Sequence, residues 1–167
     1  MKKLLYLILF FSPVSIISQY GDEPNCTSVY LIRHAEKDRT NKEERNPHLN
    51  DKGIERTFKW KSFFKNIKFD KFYSTNYHRT IETIQPISNG EDIVIYSPSN
   101  IDYDGFLKLN KGKVVLVVGH SNTIPTFANN LLGSRVYNNI EDDNNSNLYV
   151  INICDDNKPI NSLYTVE

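Results

Sequence analysis

The run Val29-Tyr30-Leu31-Ile32-Arg33-His34-Ala35-Glu36-Lys37 puts four apolar residues directly before an arginine and a histidine. The apolar four predict a short buried strand. A sheet layer of that kind cannot take in a guanidinium and an imidazole without partners, so the pair marks the strand's C-terminal rim. In an open α/β sheet that rim is where ligands bind. The remaining chain must then supply further strands, with further polar groups at their ends.

Working outward, it does. Asn50 or Asp51 is the natural N-cap of a helix that starts near Gly53. Ile54, Thr57, Phe58, Phe64 and Ile67 give that helix an apolar stripe as far as about Asn66, widened by Trp60 and Phe63. Phe58, Phe63, Phe64, Phe69 and Phe72 read as core. Phe69 to Tyr73 is a second strand, and Ser74-Thr75-Asn76 opens a helix over Tyr77 to Gln85 that is stopped near Pro86. Ile93 to Tyr96 is a third strand, followed by a short helix from Tyr103 to Leu109. Val114 to Val118 is a continuous apolar run, as expected of a strand covered on both faces. Thr123 to Leu132 is a helix closed by Gly133, and Leu148 to Ile153 and Leu163 to Val166 are the last two strands. Strands alternating with helices predict a layered α/β domain.

With parallel strands, four side chains come to one rim: Arg33 and His34 after the first strand, Arg79 after the second, His120 after the fourth. Helix starts behind Asn76 and Asn122 would aim backbone N–H groups at the same place, which favours an anion. Two arginines match phosphate oxygens by forked hydrogen bonds and offset charge as a phosphoryl group transfers. A neutral histidine among cations is a nucleophile, and a second histidine can donate to the phosphoryl oxygens. This chemistry needs no metal and no cofactor.

Composition sets the frame. At 167 residues, 39% hydrophobic and 24% charged, the chain fits one ordinary domain, and a formal net charge of zero gives no nucleic-acid footprint. Met1-Lys2-Lys3, the apolar run Leu4 to Phe11 and the smaller residues to Ser18 read as a signal peptide over residues 1–18, leaving 19–167 as the domain. Its apolar run is short for a membrane span, so membrane contact is expected only through an uncleaved segment. Loss of Lys2 and Lys3 leaves 18 basic against 20 acidic residues, a net charge of −2. The expected location is periplasmic or secreted. There, Cys26 and Cys154 are either a clasp between chain ends or two free thiols.

Arg33-His34-Ala35-Glu36 after a strand, Tyr73-Ser74 with Arg79-Thr80 and Thr83, and Val118-Gly119-His120-Ser121 together resemble the histidine phosphatase superfamily, with its phosphoglycerate mutase-like fold. Leu49, Gly53 and Arg56 resemble its first-helix pattern. The resemblance spans roughly residues 28–153. It implies a three-layer α/β/α sandwich around a mostly parallel sheet. It also implies transient phosphorylation of His34, with Arg33, Arg79 and His120 completing the phosphate pocket. Ala35 stands where the family usually has glycine, which is tolerable unless the backbone there has positive φ. No insertion like that of the mutases is present.

The expected activity is therefore that of an exported, metal-independent histidine acid-type phosphatase acting on small phosphomonoesters or phosphoproteins. The rival is a non-catalytic phosphate- or phosphoprotein-binding module on the same fold. A leaving alkoxide needs a proton. By the resemblance the acid lies between Arg79 and His120, where Glu91, Asp92, Asp102 and Asp104 stand. Asp102 and Asp104 follow the third strand on the correct side of the sheet and are the preferred pair.

Overall fold

The computed structural model describes residues 25–155 and 157–167, so the segment 1–18 read as a signal peptide lies outside the described residues. The chain runs β1 (Cys26–Arg33), α1 (Asp51–Phe63), β2 (Lys71–Ser74), α2 (His78–Ser88), β3 (Ile93–Ile95), α3 (Tyr103–Leu109), β4 (Val114–Gly119), α4 (Thr123–Leu132), β5 (Asn147–Cys154) and β6 (Ile160–Thr165). The sheet order is β3-β2-β4-β1-β5-β6. The first four strands are mutually parallel, while β5 runs antiparallel to both β1 and β6. The mostly parallel sheet expected from the sequence is the one observed.

Alternation along the strands builds two cores. Val29, Leu31, Val115 and Val117 face α3 and α4, where they meet Ile124, Phe127 and Phe106. Ile32, Leu116, Val118 and Leu148 face α1 and α2, against Trp60, Phe64 and Ile84. The central strands β1 and β4 are thus covered on both faces, giving three layers.

Two helical readings need correction. Along α1 the buried residues are Gly53, Thr57 and Trp60, continued by Phe64 in a 3₁₀ turn over Phe64–Asn66. Ile54, Phe58 and Phe63 are 48%, 59% and 46% exposed, so Phe58 and Phe63 are not core. The cause is Gly53, whose missing side chain lets the helix lie directly on the Glu36 backbone; a Cβ there would run into the Glu36 carbonyl. Docking at that point turns the face one position away from the stripe expected from apolarity alone. In α2, Pro86 does not stop the helix, which continues to Ser88 and closes at Asn89 with φ +50°. A proline this near the C-terminus removes a single hydrogen bond, while Ile84 and Ser88 stay buried around it.

Cys26 lies opposite Cys154 in the β1–β5 register, and the two form a disulfide, so no described cysteine is free. The bridge spans 128 residues and so restrains nearly the whole domain when unfolded. Its reduction is expected to lower stability by about 2–4 kcal/mol, read as a lower Tm with reductant than without.

Candidate active site

Register puts the four sequence-predicted side chains on one rim. Arg33 pairs with Gly119 at the last step of β1 and β4, and Ser74 of β2 pairs with Val118 one step earlier. His34, Thr75 and His120 therefore leave adjacent strand ends together. The His34 and His120 ring centres lie 5.4 Å apart. Arg79 sits in the first turn of α2 with its guanidinium 4.4 Å from the centre of the Tyr77 ring. That ring in turn meets His120 edge-on at 5.0 Å.

His34, only 4% exposed, is held from several directions. Its backbone N–H donates to Gly119 at 2.9 Å, and its carbonyl accepts from Asn145 Nδ2 at 2.8 Å. The next N–H, of Ala35, donates to Thr83 Oγ1 at 2.9 Å, and Thr83 donates to the Arg79 carbonyl at 2.6 Å. One threonine thus ties the His34 loop to the turn that carries Arg79. Ala35 is buried and not at positive φ, so a methyl group in place of glycine is accommodated.

The His34 Nδ1 lies 2.7 Å from the Ala35 carbonyl. A carbonyl only accepts, so Nδ1 carries the proton and Nε2 keeps its lone pair. Burial, then the charges of His120, Arg33 and Arg79, depress the His34 pKa to about 3 against the opposing pull of the Ala35 carbonyl. Burial followed by Arg79, Arg33 and Lys37 depresses His120 to about 4. Both rings are neutral near pH 7. Between those values and 6.5 the unfolded chain binds more protons than the folded one. Above about pH 6.5 the neutral rings cost nothing in protonation, and stability is lost as pH falls toward 4 and then 3. Melting temperature is expected to fall across that range, and less steeply for His34→Ala.

The arginines differ. Arg33, 3% exposed, donates through Nη1 to the carbonyls of Glu141 (2.8 Å), Asp142 (3.1 Å) and Asn144 (2.9 Å), and through Nη2 to Asp142 Oδ1 (3.1 Å). It anchors the 141–145 loop whose Asn145 holds His34. Its Nε, and the Nε and Nη1 of Arg79, are buried donors with no acceptor among the described residues. Three orphaned donor nitrogens beside two neutral imidazoles make a site that an oxyanion would complete.

His120 is positioned by Thr75, whose Oγ1 lies 3.0 Å from His120 Nε2 and 3.1 Å from Thr80 Oγ1. Thr80 directs its own proton to the Thr75 and Tyr77 carbonyls. Thr75 donates its one proton to Thr80 Oγ1, so its oxygen accepts from His120 Nε2–H. Thr75, Asn145 and the Arg33 anchor at Asp142 escaped the sequence reading, because their partners are 45 to 111 positions away.

The structure does not bring Asp102 or Asp104 into the cavity at His34. Asp102 caps α3, its Oδ1 accepting from Gly105 N–H at 2.9 Å. Asp104 lines a groove with Asn25, Thr27 and Cys154, at the far ends of β1 and β5. Helix capping and the downward run of α3 account for both. His34 borders a cavity of about 210 Å³ together with Glu36, Lys37, Arg39, Asn50, Lys52, Asp142, Asp143 and Asn145, but Arg33, Arg79 and His120 are not in its lining. Burial tends to raise the Glu36 carboxyl, but Arg56 and Lys52 outweigh it and hold it ionised. Arg39, with Arg33, likewise holds Asp142 below the usual range. Asp143 alone of these three has no ion-pair or hydrogen-bond partner among the described residues. A larger cavity of about 520 Å³, bordered by Asn129, Asn130 and Tyr137 at the end of α4, contains none of the four rim residues.

Residues 29–100 match the family described as histidine phosphatase superfamily (branch 1), a span that includes Arg33, His34 and Arg79. No curated protein matches the chain. Among solved structures it is similar to phosphoserine phosphatase from Entamoeba histolytica in complex with 3-phosphoglyceric acid. That pair shares 19% identity over 84% of this chain and 98% of that one, with a TM-score of 0.66. It is similar to phosphoglycerate mutase from Bacillus anthracis, with 17% identity, 86% and 93% coverage and a TM-score of 0.61. The protein histidine phosphatase SixA complexed with tungstate shares 11% identity, 83% and 96% coverage and a TM-score of 0.67. The likeness to the superfamily and the phosphoglycerate mutase-like fold stand on these matches.

Proposed function

We propose that this chain, a histidine phosphatase superfamily match on a phosphoglycerate mutase-like fold, is a phosphatase that works through a phosphohistidine on His34. The observation that carries the reading is the set of orphaned buried donors on Arg33 and Arg79 around a neutral His34. These donors take the phosphoryl oxygens, and His34 Nε2 attacks phosphorus as the bond to the leaving oxygen breaks. His120 donates to the developing charge. Water then attacks the phosphohistidine, the P–N bond breaks, and inorganic phosphate leaves. The fixed cations supply the charge offset, so turnover is proposed to be independent of metal. The substrate class is phosphomonoesters of small molecules or proteins. The neighbours described as phosphoserine phosphatase and protein histidine phosphatase are consistent with either.

One observation favours a narrower reading. Glu36 and Asp142 are held ionised beside His34, and Asp102 and Asp104 stand elsewhere. Leaving groups that need little protonation, such as aryl oxygens or the imidazole of phosphohistidine, suit this site best. Asp143 is the carboxylate with freedom to act on harder ones. Export is proposed from residues 1–18, and the disulfide supports an oxidising compartment.

The test is hydrolysis of an aryl phosphate with chelator present, together with rapid quenching to trap acid-labile phosphate on the protein. Turnover with trapped label is expected. Phosphate binding without turnover or label would instead mean a binding module.

A further inference from the structure

Outside the site just described, the described residues bring two histidines and a glutamate to one point on the surface. His48 comes from the rim loop between β1 and α1, while His78 and Glu82 stand one turn apart on α2. Spacing of four residues on a helix puts side chains on one face. The two imidazoles stack with centres 4.1 Å apart and planes 14° apart, and His48 Nδ1 contacts Glu82 Oε1. One ligand atom from each of the three lies within 4.8 Å of the others.

The backbone around the trio is fixed, so the grouping is not a chance meeting of loose side chains. Leu49 N–H donates to the second Glu82 oxygen at 2.8 Å, and His78 N–H donates to Asn46 Oδ1 at 2.9 Å. Asp38 N–H donates to the His48 carbonyl at 2.8 Å. The loop is thereby sewn to the first turn of α2, one residue from Arg79.

We propose that His48, His78 and Glu82 bind a divalent transition-metal cation of the Zn²⁺ type, which staples the 38–50 loop to α2. Two neutral imidazoles and one carboxylate suit Zn²⁺, Cu²⁺ or Ni²⁺, whereas Mg²⁺ and Ca²⁺ prefer all-oxygen sets. Three protein ligands leave a fourth position for water. A cation bound at about 2.0–2.2 Å from each ligand replaces the direct His48 Nδ1–Glu82 Oε1 contact, which opens as the wider-spaced ligand atoms close in. The histidines are exposed and can turn that far. This site is separate from His34, so the staple acts on the loop and takes no part in the chemical steps.

The test uses ZnCl₂ with the full chain in calorimetric titration, alongside tryptic cleavage at Lys42 and Arg45 of the exposed loop. Wild type and His34→Ala are both expected to take up one Zn²⁺. His48→Ala and His78→Ala should each bind at least about tenfold more weakly. Zinc should slow loop cleavage several-fold in wild type and leave it unchanged in His78→Ala, which also controls for any effect on trypsin. Absence of saturable uptake in wild type overturns the proposal, as does equal uptake by His78→Ala or loss of uptake in His34→Ala. Loop cleavage indifferent to zinc overturns the staple.

Discussion

His34→Ala is expected to reduce aryl phosphate turnover by on the order of 10⁴-fold or more and to abolish the acid-labile phosphoprotein. The size follows from the role, because no other described imidazole lies beside both arginines with a free Nε2. His120 is tied to Thr75 through its Nε2. Stability near pH 7 should change little. The lost ring is buried in surroundings that already oppose its charged form, and its Nδ1 bond is to the adjacent residue's carbonyl. Rapid-quench kinetics and a melting curve on the same preparation separate the two effects. Turnover surviving within tenfold of wild type would remove His34 as nucleophile.

Arg33→Ala and Arg79→Ala should part company. Both ought to lower turnover by on the order of 10²–10³-fold, since each removes donors from the proposed phosphoryl site. Only Arg33→Ala should also lose stability, by about 1–3 kcal/mol for loop acceptors left unsatisfied. Its guanidinium satisfies three loop carbonyls that stay unpaired without it, while Asp142 keeps only Arg39 and Asn145 loses its footing on His34. Arg79 meets no acceptor through Nε or Nη1 among the described residues, so truncation relieves an unfavourable burial. Denaturant titration of the two variants checks the contrast. Equal stability in both would mean that the 141–145 loop is held by something other than Arg33.

Much of the fold was legible because its signals are local. Val114 to Val118 is apolar without interruption, Gly133 closes α4 at φ +64°, and Asn50 caps α1 through Gly53 N–H at 2.9 Å. Misreadings arose where a contact distant in sequence overruled a local pattern. Gly53 against Glu36 turned α1 and left Phe58 exposed. The preference for Asp102 and Asp104 followed correctly from which end of β3 they leave. It could not anticipate that one would cap α3 and the other face a groove beside Cys154.

By itself, the sequence determined the strand ends and the charged residues they carry, because a buried apolar strand must stop where a guanidinium begins. Arg33 and His34 were legible for that reason, His120 as the end of the apolar run Val114 to Val118, and Arg79 from the first turn of the helix after the second strand. Tertiary structure alone decided what each can do. The tautomer of His34 depends on the Ala35 carbonyl, and the depressed pKa values depend on burial with two arginines. The 141–145 loop engages most of the Arg33 guanidinium and leaves Arg79 the freer donor. Hydrogen-bond partners and desolvation are properties of neighbours in space, and here those neighbours come from strand ends as far as 111 residues apart.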